Sequence, residues 1–325
     1  MPRIRPRRHR AVNITGPRPP AAHVATIEEA GLRWVQIDSP GQAEVAWLDE
    51  AYPFHELDLE DVRSRRQRPK VDDYPDYLFT VLHFPWYDKE TERLYAAELN
   101  AFVGRDYLIT LPNVPLKPLT ALFRRLELSS DERAEFFTKG SGYLFYEVLD
   151  ALYAYCFPIL DQIGRKLDDI EDAVFEERNE GIVRRISNVK QEIISYRKIV
   201  KPQRPVLRLL ERDTERFLAE DLEIYYDDLI DTSERIWDVL DNYKEVIEAL
   251  EDTNETAIAQ RQQRVLRVLT VFSATMLPLT LVTGLFGMNV EVPWEGRIEG
   301  FWIVLTGLVL GLGAMLGVFR FWRWL

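Results

Sequence analysis

The chain has 325 residues and a net charge of −12, from 53 acidic against 41 basic side chains, with a mean hydropathy of −0.22. An acidic balance of this size argues against nucleic acid as a partner and suits the attraction of cations, with the solubility of a cytoplasmic domain as the plain alternative. The single cysteine, Cys156, excludes an intrachain disulfide and fits a reducing compartment.

Residues 1–20 carry Arg3, Arg5, Arg7, Arg8, His9 and Arg10 together with Pro2, Pro6, Pro17, Pro19 and Pro20, which predicts a basic disordered arm. No apolar run follows the arginines, so the arm does not read as a signal peptide. Its plain role is as a solvated tail. Contact with anionic lipid headgroups, or with the acidic face of a neighbouring subunit, is the alternative.

Residues 21–140 mix short strands with short helices and predict an α+β domain. Leu32–Ile37 alternates as a half-buried strand does, and residues 77–84 are rich enough in aromatic and branched side chains for a central strand. Residues 94–103 and 107–111 are further strand candidates, and residues 43–52 read as a helix. From about Ser141 the pattern changes to long helices. Residues 142–178 keep helical spacing and end in acid (Asp168, Asp169, Glu171, Asp172, Glu176, Glu177), and Gly181 breaks the run. A second helix over residues 182–212 should be interrupted by Pro202 and Pro205. These long acidic helices occupy residues 141–222.

Helical spacing resumes at Glu223 and meets no Pro or Gly until Pro278. The segment divides into a stalk over 223–267 and an apolar span over 268–289. If unbroken to Met288 it is roughly 100 Å long, and a helix of that length needs partners to cover its apolar stripe, which predicts an oligomer. Val268–Val290 contains no charged residue, nor does Phe301–Phe319. Each run is long enough to cross a hydrocarbon core of about 30 Å. The second span is placed at 301–320, after a loop at 290–300 and before a tail at 321–325. Arg261, Arg264 and Arg267 flank the inner end of the first span and Arg320 and Arg323 the end of the second. The loop carries Glu291, Glu295 and Glu299 against Arg297. The excess of positive charge puts both termini in the cytoplasm and the acidic loop outside, and Trp294, Trp302, Trp322 and Trp324 fall near the interfaces.

Thr256, Gln263, Leu266, Thr270, Ser273, Leu277, Thr280, Gly284 and Met288 share one face of the first span and the stalk beneath it. Small polar groups at membrane depth face protein or water rather than lipid. Close helix association and a pore wall built by several copies both account for this stripe. The histidines His9, His23, His55 and His83 are scattered, and one Cys makes no thiolate cluster, so a high-affinity soft-metal site has no support. No phosphate loop, nucleophile elbow or histidine metal motif points to an enzyme.

Gly287-Met288-Asn289 closes the first span, with the acidic loop and a final span behind it. With Val268-Leu269-Thr270 after Arg267, Leu277-Pro278-Leu279-Thr280 in mid-span, and the ending Arg323-Trp324-Leu325, this arrangement resembles the CorA family of divalent-cation transport proteins. Upstream, His55-Glu56-Leu57, Glu60-Asp61-Val62 and Gln67-Arg68-Pro69-Lys70, followed by Tyr74 and Phe79, extend the resemblance from about residue 50 onward.

The resemblance implies a funnel-shaped homopentamer in the inner (plasma) membrane. In each subunit an α+β cytoplasmic domain leads into a long stalk helix that becomes the pore-lining span, with a second span outside it. It places Asn289 at the external mouth with Gly287 and Met288 beside it. Mg²⁺ dehydrates reluctantly and keeps octahedral oxygen coordination, so a ring of amide oxygens can accept hydrogen bonds from its hydration shell. A helix C-cap is the plain alternative for Asn289. By the same resemblance Thr280 and Gly284 face the pore, and Leu266, Leu269 and Leu277 form a constriction that blocks ions by dewetting, with ordinary helix association as the alternative. Gln263 stands where the family has Asn at the inner entrance. Asp252, with Asp88 and Asp228, matches acids that bind a regulatory divalent ion between subunits, against the alternative of a solvated stalk face.

Two departures bear on selectivity. Phe286 replaces the usual Tyr, and the loop lacks the Met-Pro-Glu-Leu run of magnesium members, leaving Glu291 and Glu295 to supply negative charge. The implied function is a passive Mg²⁺ channel, with Co²⁺ and Ni²⁺ as further cargo, gated by intracellular Mg²⁺ and using no organic cofactor. A Zn²⁺ transporter of the same fold, coupled to protons, is the alternative. A membrane-anchored ion sensor that conducts nothing is the remote one.

Overall fold

The computed structural model describes residues 24–64, 67–88, 90–91, 93–175, 181–214, 223–288 and 298–322. It divides into two compact units, Met1–Leu250 and Glu251–Leu325.

The first unit is built on a six-stranded sheet in the order β1-β2-β6-β5-β4-β3. The strands are β1 (Val24–Glu29), β2 (Leu32–Ile37), β3 (Lys70–Asp73), β4 (Tyr77–Asp88), β5 (Arg93–Gly104) and β6 (Tyr107–Pro112). All pairings are antiparallel except β2 with β6. Side chains alternate between faces along a strand, and here both faces are apolar. Trp34, Leu78, Leu82, Leu99, Ala101, Val103 and Leu108 enter one core, while Val35, Ile37, Phe79, Val81, Phe102, Ile109 and Leu111 enter the other. Two helices, α1 (Gln42–Ala51) and α2 (Glu56–Ser64), cover the second face through Val45, Leu48, Leu59 and Val62. The first face is covered by α3 (Lys117–Leu128), α4 (Ser130–Thr138), α5 (Ser141–Ala154), α6 (Cys156–Phe175), α7 (Ile182–Val200) and α8 (Arg204–Thr214), and by the start of α9 (Glu223–Phe286).

The strand expected at residues 77–84 is internal but not central: it is β4, next to the edge strand β3, and β5 and β6 hold the centre. The helix expected over residues 142–178 is two helices. Pro158 lies in the first turn of α6 and has no N–H to give to Ala154, so the ladder breaks between them. Pro202 and Pro205 interrupt the next helix as expected, producing a 3₁₀ turn at Lys201–Gln203. That turn carries Gln203 onto β4, where the His83 N–H donates to its Oε1 at 2.9 Å and its Nε2 donates back to the His83 carbonyl at 2.5 Å. β3 pairs β4 only from Leu78 to Val81, so the amide takes over the strand's hydrogen bonding just where β3 ends.

Gly164 on α6 lets α9 approach: a Cβ there would lie 2.6 Å from the Tyr243 hydroxyl oxygen. Gly181 starts α7 at φ +76°, a backbone conformation that suits glycine.

Glu98, 2% exposed, ties the sheet to two loops. Its carboxylate accepts from the Gln67 N–H at 2.9 Å and from Asn100 Nδ2 at 3.0 Å, its own N–H donates to Asn113 Oδ1 at 2.8 Å, and His83 Nε2 lies 3.8 Å away. Burial pushes its pKa up, but the contacts with His83, Gln67 and Asn100 together outweigh this and hold it below the usual value of 4.5. A carboxylate depressed by folding contributes stability that is present above the unfolded pKa and lost as pH falls through the folded one. The chain is therefore expected to lose stability on acidification below about pH 4.5. Glu98→Gln should flatten that acid limb and cost on the order of 1–3 kcal/mol at neutral pH. Melting temperatures of both forms across acid pH check this, and parallel acid limbs would refute it.

Three helical stretches are long and apolar enough to cross a membrane by length and composition: Ser141–Val174, Ile224–Phe286 and Ile298–Phe321. Half of the first one's apolar window is buried, against 11% and 0% for the other two. Leu144, Phe145, Val148, Leu149 and Leu152 of the first belong to the sheet core, so it is an interior stretch. The second unit consists of the end of α9 and of α10 (Ile298–Phe321).

Candidate functional site

α9 is one unbroken helix of 64 residues, about 96 Å long. It ends at Phe286 rather than Met288, and Gly287 and Met288 form a turn. Its first half is anchored. Tyr226, Leu229, Ile236, Leu240, Ile247 and Leu250 are buried at heptad-like spacing, the Tyr226 hydroxyl donates to the Gly142 carbonyl at 2.9 Å, and Arg197 and Arg204 lie over the Trp237 ring at 4.4 and 5.5 Å. Past Glu251 this burial stops: Asn254, Val271 and Thr275 are the buried positions there among the described residues.

In the apolar part, the less exposed positions of each helix fall on one face: Val271, Ala274, Thr275, Leu279 and Val282 on α9, and Val304, Leu308, Leu312, Met315 and Phe319 on α10. The stripe singled out in the sequence is elsewhere on α9. Gln263, Leu266, Thr270, Ser273, Leu277, Thr280, Gly284 and Met288 are all exposed, and so is Leu269. Leu277 is 70% exposed, and around Gly284 no heavy atom lies within 4 Å of where a Cβ would stand. Thr270 and Thr280 donate their hydroxyl protons to the Leu266 and Met276 carbonyls, each at 2.8 Å. Pro278 lies inside the helix and gives no N–H to the Ala274 carbonyl. At the end of α9 the Gly287 N–H donates to the carbonyls of Thr283 and Gly284 at 3.0 and 3.2 Å. Asn289, Glu291 and Glu295 lie outside the described residues, as do residues 1–20.

The acids expected to bind a regulatory ion lie at the end of β4 and on α9. Asp88 ends β4 and is partly exposed. It accepts from Thr91 Oγ1 at 2.7 Å and from the Glu90 N–H at 3.0 Å, which hold its pKa below the usual carboxylate value. Asp228 is exposed on α9. Its charge, added to the larger effect of burial, raises the pKa of Asp150 on α5. Asp252 is exposed on α9 in the other unit. Among the described residues no group of three or more His, Cys, Asp or Glu is placed to hold a metal. Asp150 was not legible in the sequence, because only the seating of α9 beside α5 puts it near Asp228.

The family model for the CorA-like Mg²⁺ transporter protein matches residues 29–324. The cobalt/magnesium transport protein CorA of Thermotoga maritima is 27% identical over 296 residues, covering 90% of this chain and 83% of that protein. The divalent cation transporter CmaX of Pseudomonas aeruginosa is 25% identical, covering 90% and 87%. The complete structure of the CorA magnesium transporter from Methanocaldococcus jannaschii superimposes with a TM-score of 0.80 at 20% identity, covering 91% of this chain and 92% of that one.

Proposed function

Because the chain belongs to the CorA-like Mg²⁺ transporter family, whose members move divalent cations and are not enzymes, we propose that it is a channel carrying hydrated Mg²⁺ into the cytoplasm down the membrane potential. The observation that carries this reading is the stripe from Gln263 to Met288. Every position of it is uncharged, and every one is left uncovered by its own chain. A membrane anchor needs no polar positions through the bilayer, whereas helices that enclose a water path need them.

Five copies, each contributing α9, would place Leu266, Leu269 and Leu277 as apolar rings and Thr280 and Gly284 as oxygen-bearing rings, with Asn289 at the external mouth beside Gly287 and Met288. Both termini are cytoplasmic, and Glu291 and Glu295 lie in the external loop where they concentrate cations. Gln263 at the inner entrance offers an amide oxygen to the leaving ion. Asp88, partly exposed and with its pKa held below the usual carboxylate value, suits a divalent cation shared with Asp252 of a neighbouring copy, with Asp228 close by. Mg²⁺ held there favours the closed state, and its loss favours conduction, which is feedback by the cargo.

The test is ion uptake into proteoliposomes with an imposed membrane potential, with and without a pH gradient. Mg²⁺ uptake that follows voltage, ignores the pH gradient and slows as luminal Mg²⁺ rises on the cytoplasmic face is the expected result. Zn²⁺ uptake that requires a proton gradient, with no Mg²⁺ flux, would move the chain to a proton-coupled mechanism. No flux of any divalent ion would leave it a sensor.

A further inference from the structure

A cleft of about 1110 Å³ opens in the first unit between the turn end of the β4–β5 hairpin and helices α6 and α7. It has the size of a small-ligand site. Its charged lining is Arg93, Lys166, Arg184 and Arg185 against Asp169 and Glu192, four positive charges to two negative, in a chain whose net charge is −12. The cations are unequally compensated. Lys166 Nζ is held by both oxygens of Glu192 at 2.7 Å. Arg93 lies across the hairpin from Asp88, but that carboxylate is engaged by Thr91 and the Glu90 N–H. Among the described residues neither Arg93, Arg184 nor Arg185 forms an ion pair.

Arg184 and Arg185 also stand in the first turns of the 19-residue α7, which carries no acidic residue in its first turn. Cations there oppose the positive end of the helix dipole. An anion bound between the three guanidinium groups relieves both repulsions, and guanidinium matches phosphate oxygens in fork geometry. The rest of the lining adds flat and amide surface: the rings of Tyr87 and of Tyr95, which is 43% exposed, and the side chains of Gln162 and Asn188.

We propose that this cleft binds a nucleoside polyphosphate, its phosphates on Arg93, Arg184 and Arg185 and its base against Tyr95. The binding uses side-chain guanidinium groups on a strand and a helix, not a glycine-rich loop. It is independent of the transport reading and is read without flux.

The test is calorimetric titration of the purified full-length chain in detergent with ATP, tripolyphosphate and inorganic phosphate. One ATP per chain is expected, bound more tightly than tripolyphosphate, with inorganic phosphate weakest. The Arg184→Ala/Arg185→Ala double variant should weaken ATP at least tenfold, and Tyr95→Ala should weaken ATP while leaving tripolyphosphate unchanged. These side chains are exposed, and an unchanged elution volume and melting temperature identify folded variants; Arg93→Ala gives an independent variant on the other wall. Absence of ATP binding to the unmodified chain, or ATP affinity unaltered in folded arginine variants, would overturn the proposal. Equal binding of ATP and tripolyphosphate with no effect of Tyr95→Ala would overturn the nucleoside assignment.

Discussion

Asn289→Ala is expected to reduce Mg²⁺ uptake to the level of protein-free vesicles while the chain still folds and assembles. In sequence Asn289 follows the turn that ends α9, where the Gly287 N–H donates to the carbonyls of Thr283 and Gly284. Its proposed work is on the ion. The hydration shell of Mg²⁺ is held tightly and octahedrally, so a mouth that admits the ion must hydrogen-bond the shell and not displace it. In the proposed pentamer five amide oxygens would do this, and five methyl groups would leave the outer waters without acceptors. Asn289→Gln keeps the oxygen but lengthens its arm, and is expected to retain partial uptake. Uptake at the unmodified rate in an assembled Asn289→Ala protein would sink the assignment of this residue to the mouth.

Trp34→Ala is expected to have the largest effect on stability. Trp34 is fully buried on β2, its Nε1 donates to Thr110 Oγ1 at 3.1 Å, and its ring meets Phe123 edge-on at 4.9 Å. It thus joins two strands and pins α3 to the sheet. Truncating a core aromatic costs about 3–5 kcal/mol, a large part of the roughly 5–15 kcal/mol that holds a protein folded. The Thr110 hydroxyl also loses its partner inside the core. A fall in melting temperature on the order of 10 °C follows for a unit of this size, read by scanning fluorimetry of the full-length chain. Trp34→Phe, which keeps most of the ring area, should fall by less than half as much. Equal shifts in the two variants would show that the indole N–H, and not the volume, carries the effect.

The elements legible in the sequence were those with strong internal periodicity. β2, β5 and β6 match their expected spans to within a residue or two, because alternating or continuous apolar runs are bounded by turn residues. α9 was legible because nothing in 223–277 breaks it. Weaker elements escaped. β1, with Ala25 and Thr26 exposed, is an edge strand whose outer face is solvated, and β3 is four residues, Lys70–Asp73, held by its pairing with β4. The break at Tyr155 depended on Pro158, which reads as a permitted first-turn proline only once the boundary is known. At the site, the face shared by Leu266, Leu277 and Thr280 was readable from spacing, and its lack of cover follows from α9 and α10 using other faces. The cleft beside α7 was not readable, since Arg93 and Arg185 are brought together only by the seating of the hairpin end against two helices.

The hydroxyl protons of Thr270 and Thr280 are committed to carbonyls of the preceding turn, so along the stripe these side chains present lone pairs and no free protons. Water around a cation turns its hydrogens outward, and water around an anion turns its oxygens outward. Where these two threonines face the proposed water path, they therefore offer acceptors to the first kind of shell and no donors to the second. On the proposed channel reading, the rings of Thr270 and Thr280 would favour cations through the polarity of their hydrogen bonding, without a formal charge on either ring.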